Sequence, residues 1–314
     1  MKLPELRIGH LVAKVPIVQG GMAIRLSTAR LAAAVAEQGG IGLIAASGMS
    51  FDELRYEIRL ARSLTTGIIG INAMVAAREF AGLLRTAIEE GIDLIVAGAG
   101  FSRDMFGMGK ASGTPIVPIV SSVKLAKISQ TLGASAVVVE GKEAGGHLGT
   151  DQSMRVLIPD IRKAVAIPII AAGGVMAGRD IVETLKLGAD GVQMGTRFAA
   201  SEESNAAPAL KEFYLKAKPE DVVLIKSPVG LPGRAIKNPF VAKILEDAAP
   251  IPTDCDACLK HCARNFCIIK ALIRAQQGDL ETGLVFTGEY IHKIDEILSV
   301  REIFARIIAE VEQL

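Results

Sequence analysis

Over roughly the first 200 residues a short apolar run is followed by a helix-like segment again and again, and that alternation limits the fold more than any other feature. The runs occupy 16–19, 41–45, 67–72, 93–97, 115–120, 136–139, 167–172 and 191–194. They are rich in Ile, Val and Ala and continuous, the pattern of parallel strands buried on both faces. Helices are predicted over 30–36 with Ser27 as cap, and over 52–63, 78–90, 122–132, 159–164 and 179–187. Eight apolar runs in succession, most of them followed by a helical segment, predict an α/β protein, a TIM (β/α)8 barrel. The rival, a doubly wound sheet, would open its first turn on G-x-G-x-x-G. Gly20-Gly21-Met22-Ala23-Ile24-Arg25 does not have that spacing, nor do Gly98-x-Gly100 and Gly107-x-Gly109.

After the eighth run the pattern changes, and three segments are expected. Residues 1–200 form the barrel, 201–290 an inserted, smaller, mainly helical lid, and 291–314 a helix returning to the barrel. Within the lid we read a helix over 206–216, the apolar run Val222-Val223-Leu224-Ile225, a Gly/Pro-rich turn over 227–233, and a helix ending near Gln276. Apolar residues recur at helical spacing over 300–308, as expected of a closing barrel helix.

Composition narrows the function classes. Half of the 314 residues are hydrophobic and the mean hydropathy is +0.38, yet no apolar run approaches the roughly 20 residues of a membrane span. Residues 1–7 carry no apolar signal-peptide core, so a soluble protein is expected. With 35 basic against 34 acidic residues, no Trp and three Tyr, neither nucleic acid nor a membrane surface is expected as a partner. All four cysteines fall between Cys255 and Cys267, unlike a secreted disulfide framework, and a reducing cytoplasm is the simpler context.

The sixth run delivers Glu140-Gly141-Lys142-Glu143-Ala144-Gly145-Gly146-His147-Leu148-Gly149. Glycines let a backbone approach a flat ligand, and an imidazole beside them can handle a proton. A Gly-rich turn with an incidental histidine is the plainer reading of this loop in isolation. In a barrel all strand ends open at one mouth. That mouth would gather Gly20, Gly21, Met22, Asn72, Lys124, Glu140, Gly145, Gly146, His147, Gly173, Gly174, Gln193, Gly195 and Thr196. Glycine tips on the seventh and eighth strands suit a phosphate. Asn72 suits the polar edge of a ring, and Lys124 an electron-rich ring. Flavin mononucleotide (FMN) would satisfy these groups together.

The chain resembles the nitronate monooxygenase (2-nitropropane dioxygenase) family and, within it, the FMN-dependent type II enoyl-acyl-carrier-protein reductases. The segments that carry the likeness are Pro16-Ile-Val-Gln-Gly-Gly-Met-Ala23, the Glu140–Gly149 stretch, Ala171-Ala-Gly-Gly174, Gln193-Met-Gly-Thr-Arg-Phe198 and Gly233-Arg-Ala-Ile-Lys-Asn238. The resemblance implies FMN held by Gly20, Gly21, Met22, Asn72, Lys124, Gly146, Gly174, Gln193, Gly195 and Thr196, and it makes His147 the catalytic histidine. It also implies either of two activities. One is NAD(P)H-linked reduction of an activated alkene such as an enoyl thioester, towards which the 20–22 and 233–238 segments lean. The other is oxidation of nitronates or nitroalkanes with dioxygen. A small molecule or acyl thioester is the expected substrate, Arg234 and Lys237 are candidates for attracting an anionic carrier or dinucleotide phosphate, and a homodimer is left open.

Cys255-x2-Cys258-x3-Cys262-x4-Cys267 departs from the better-known members. Four thiolates so close together suit a 4Fe–4S cluster, with zinc as second choice, although the spacing matches no standard zinc-finger or ferredoxin run. Buried or redox-active thiols without metal are the alternative. On a helix Cys255, Cys258 and Cys262 would share a face, with a break near 263–265 bringing in Cys267.

Overall fold

The computed structural model describes residues Met1–Leu314. The chain opens on a small antiparallel hairpin, β1 (Leu6–Ile8) with β2 (Leu11–Ala13), which plugs the bottom of a barrel. There follow β3 (Ile17–Gln19), α1 (Ala29–Glu37), β4 (Ile41–Ala45), α2 (Phe51–Leu64), β5 (Ile68–Met74), α3 (Phe80–Glu89), β6 (Leu94–Gly98) and α4 (Asp104–Ser112). Next come β7 (Ile116–Val120), α5 (Val123–Thr131), β8 (Val137–Glu140), the two-residue β9 (Gly146–His147), α6 (Met154–Arg162), β10 (Ile169–Ala172), α7 (Gly178–Lys186), β11 (Gly191–Met194) and a single turn, α8 (Thr196–Ala199).

Strands β3, β4, β5, β6, β7, β8, β10 and β11 pair in parallel and in order, and β11 returns to β3 (Val192 opposite Ile17) to close the barrel. The strands read as unbroken apolar runs because both faces are covered. Val138, Ile170, Leu43, Leu94 and Val117 fill the interior, whereas Val137, Val139, Ile169 and Ala171 meet the helices outside.

Between β11 and the last helix lie α9 (Pro208–Lys216), β12 (Val222–Lys226), β13 (Pro232–Ile236), α10 (Pro239–Leu245) and α11 (Ile268–Gln276). The Gly/Pro-rich turn joins β12 to β13 as an antiparallel hairpin, and β13 pairs on its other edge with β9, setting Gly233 opposite His147. The final helix, α12 (Val300–Gln313), starts with a capping box: Ser299 Oγ accepts the Glu302 N–H, and the Glu302 carboxylate accepts the Ser299 N–H. It packs on α7 and α1, where Phe304 lies against Phe198, and takes the place of the eighth barrel helix. No helix is long and apolar enough to cross a membrane.

Three local expectations need correction. Ser27 does not cap α1; Thr28 holds that position, and the Ser27 hydroxyl instead accepts from Gln19 Nε2 and the Met22 N–H, bracing the first strand tip. Helix α4 lies where no helix was marked, because Gly107 and Gly109 weaken its helical signal. The cysteine segment has no helix at all. Ala257 and Arg264 turn the backbone through left-handed conformations (φ 49° and 56°), so the thiols share no helical face.

Candidate active site

Every barrel strand ends at the same mouth, and a cavity opens there. Gly20, Gly21 and Met22 follow β3, Asn72 lies on β5, and Gly146 with His147 form β9; all line this cavity. Gly173 and Gly174 beyond β10, Gln193 on β11, and Gly195 and Thr196 beyond it line the same space. Lys124 does not join them: it is exposed on the first turn of α5, outside the cavity wall. The opposite wall comes from the segment between β11 and α12, with Val229, Ile268, Ile269, Leu272 and Phe286 as its apolar surface.

His147 is fixed from three sides. Strand pairing with β13 holds its backbone, and the adjacent Leu148 N–H donates to the Pro232 carbonyl at 2.9 Å. Its Nε2 lies 2.8 Å from Ser227 Oγ, and its ring meets Phe286 edge-on with centroids 5.2 Å apart. Burial in this setting depresses the imidazole to about 4, so the ring is neutral near pH 7. A neutral imidazole keeps one donor and one acceptor. Ser227, itself buried, is the functional neighbour that sequence reading missed; it stands 80 residues away, and only the β12–β13 turn brings it back.

Glu140 ends β8 and lines the cavity, where burial pushes its carboxyl up to about 8. It is therefore mostly protonated near neutrality and can donate a hydrogen bond. Gln193 Oε1 is buried without any partner, an acceptor left for a ligand N–H. Gly21 packs so closely on Asn72 that a Cβ would come within 2.1 Å of the Asn72 side chain, so the first strand tip presents bare backbone. Gly173 and Gly174 turn through φ of 108° and 74°, which favours glycine, at the approach to α7. The Thr196 hydroxyl accepts the Gly288 N–H at 2.9 Å and retains its own proton for donation. The ionisable groups facing the cavity are Glu140, Glu143, Glu289, His147, Tyr214 and Tyr290. An anionic tail would thus rest on backbone N–H groups and hydroxyls. Such a site suits a flat heteroaromatic ring with N–H donors and a phosphate.

Arg234 is not a free docking cation. Its guanidinium donates to the carbonyls of Ala144 (3.1 Å) and Lys142 (2.5 Å), riveting β13 to the histidine loop. Lys237 is exposed. Of the cysteines, Cys255, Cys258 and Cys262 line a second cavity, and Cys267 occupies the N-cap of α11. All four thiols are free, and no three His, Cys, Asp or Glu side chains come together as a group that could hold a metal. The expected iron–sulfur or zinc centre therefore has no formed ligand set here.

Comparison with known proteins agrees with this geometry. A family model described as nitronate monooxygenase matches residues 5–310. A Rhodococcus jostii (strain RHA1) protein named (3aS,4S,5R,7aS)-5-hydroxy-7a-methyl-1-oxo-octahydro-1H-indene-4-carboxyl-CoA dehydrogenase is 33% identical over 226 residues, 72% of this chain. The match spans 64% of that relative's own length. A probable nitronate monooxygenase of Staphylococcus aureus (strain Newman) is 30% identical over 282 residues, covering 76% of this chain and 79% of that protein. The solved structure of FabK from Thermotoga maritima superposes with a TM-score of 0.87 at 37% identity, covering 95% of this chain and 93% of that one. With a closed barrel, a glycine-lined mouth and a family match over nearly its whole length, the chain belongs to the nitronate monooxygenase family.

Proposed function

We propose that this enzyme holds FMN at the barrel mouth, takes reducing equivalents from NAD(P)H and adds hydride to an activated alkene, with an enoyl thioester as the leading substrate class. The observation that carries this reading is the charge of the cavity. Its one histidine is neutral near pH 7, and its remaining ionisable groups are carboxyls and phenols. Such a site accepts an uncharged reacting centre more readily than an anionic nitronate, because no lysine or arginine lines it and Arg234, beyond the lining, is taken up by the Lys142 and Ala144 carbonyls and by Glu289 at 3.7 Å.

The residues at the mouth fit FMN. The orphaned Gln193 Oε1 matches a ring N–H, the protonated Glu140 supplies a donor, and Gly173, Gly174 and Gly195 allow backbone approach to the phosphate. Bound FMN would supply the two-electron chemistry. His147 would donate a hydrogen bond to the thioester carbonyl, drawing electron density from the alkene without placing a full charge against Phe286. Val229, Ile268, Ile269 and Leu272 would cover an acyl chain and exclude water.

Nitronate oxidation is the second reading, and the similarity to the S. aureus relative favours it. Anaerobic mixing separates the two. Rapid flavin bleaching by NADH or NADPH, reversed by an enoyl thioester, is the expected result. Bleaching by a nitronate but by neither nicotinamide would overturn it.

A further inference from the structure

The four cysteines are left unused by the chemistry of the barrel mouth, and the structure holds them in an unusual setting. They lie within thirteen residues of a segment that has neither helix nor strand apart from one isolated bridge, Leu259 with Ala77. A segment of that kind normally drifts, but this one is tied down between the ligand candidates. The Arg78 N–H donates to the Cys258 carbonyl at 2.9 Å, and the Lys260 N–H to the Ala76 carbonyl at 2.9 Å. Lys260 Nζ donates to the Val75 carbonyl at 2.7 Å, and the Ala263 N–H to the Pro228 carbonyl at 2.9 Å. The left-handed turns at Ala257 and Arg264 fall just before Cys258 and between Cys262 and Cys267.

We propose that Cys255, Cys258, Cys262 and Cys267 form a four-thiolate centre for a thiophilic metal, either a 4Fe–4S cluster or a single zinc ion. Three of the thiols already line one cavity, and the fourth stands at the N-terminus of α11. The same cavity is bordered by Arg78, Lys260, His261 and Arg264, and a metal carrying four thiolates is anionic in either form, so this basic rim is complementary to it. Asp254 and Asp256 flank Cys255 and offset part of the rim's positive charge. The four thiols are free, and no disulfide has to be reduced before they can bind. Nothing regular has to break for that to happen, because the anchoring hydrogen bonds come from the loops on either side. The site also adjoins the active-site cavity: Val229 lines both, and Ile268, next to Cys267, lines the latter. This inference stands independently of the alkene-reduction reading.

The test is elemental and spectroscopic analysis of full-length protein purified without oxygen, beside Cys258→Ser and Cys262→Ser. Stoichiometric metal is expected in the parent and background metal in both variants, with flavin content unchanged. Iron with matching acid-labile sulfide and a dithionite-bleachable absorption in the visible blue identifies the cluster; colourless stoichiometric zinc identifies the single ion. Three results would each overturn the site. One is a parent protein that holds neither metal, even after anaerobic reconstitution with ferrous iron and sulfide or with zinc. Another is metal that persists in both variants, and the third is four maleimide-reactive thiols in the native, reconstituted protein.

Discussion

His147 is held as an uncharged group near pH 7, and its setting shows how. Phe286 and the surrounding backbone keep the ring neutral, while Ser227 saturates one nitrogen and fixes the ring's direction. Replacing His147 with Gln should lower turnover by about 100-fold or more while flavin content stays constant, which single-turnover kinetics would check. Ser227→Ala leaves a buried ring nitrogen unpaired at a cost of about 1–3 kcal/mol, read as a lower melting temperature together with a smaller loss of turnover. The two perturbed groups of the cavity also give opposite pH signatures. Between pH 6.5 and about 4 the unfolded chain takes up a proton that folded His147 refuses, so this residue costs stability as pH falls through that window. Glu140 retains a proton that the unfolded chain releases above 4.5, so it costs stability as pH rises from 4.5 to about 8. In flavin-stripped protein, Glu140→Gln should therefore gain on the parent as pH increases from 5 to 8, with a slope approaching about 1.4 kcal/mol per pH unit. A variant that tracks the parent across that range would count against a buried, protonated Glu140. At this scale the sequence yielded residue types more readily than partners. His147 and the glycine tips stand out because strand ends converge, but Ser227 and the exposure of Lys124 depend on a turn and a helix phase that no local pattern records.

The element that matters most is also the shortest. Strand β9 is two residues long, and its partner β13 lies more than eighty residues on, so no periodicity announces the pair. Two features make it rigid. Arg234 crosses from β13 to the carbonyls of Lys142 and Ala144, and Gly145 lets Thr287 approach so closely that a Cβ would meet the Thr287 carbonyl carbon at 2.6 Å. Gly145→Ala should therefore force the loop and the covering segment apart, lowering stability by about 1–3 kcal/mol and raising KM along with the loss in kcat. Thermal melts and steady-state kinetics on the same preparation would check this, and unchanged values for both would mean that the contact is not needed. The cysteine segment illustrates the opposite problem. Its spacing invites a helical reading, but two left-handed residues and hydrogen bonds to neighbouring loops decide its path. Tertiary ties overrode a plausible local pattern.

For the molecule as a whole, the barrel was legible because each strand is covered on both faces and so reads as an unbroken apolar run. Its closure was legible for a similar reason, since α12 repeats apolar residues at helical spacing. Phe304 is 1% exposed and packs on Phe198 in the core shared by α1, α7 and α12. Phe304→Ala should cost about 3–5 kcal/mol, measured by urea titration, and both the flavin and secondary-structure signals should be lost earlier. The strand pairing between β9 and β13 adds one consequence for motion. A cover hinged over a barrel usually opens while the catalytic groups stay behind on the floor. Here the hairpin is hydrogen-bonded edge to edge with the strand that carries His147. If the hairpin lifts as a unit, the histidine leaves with it. The ring and the cover would then part from the barrel floor in a single movement.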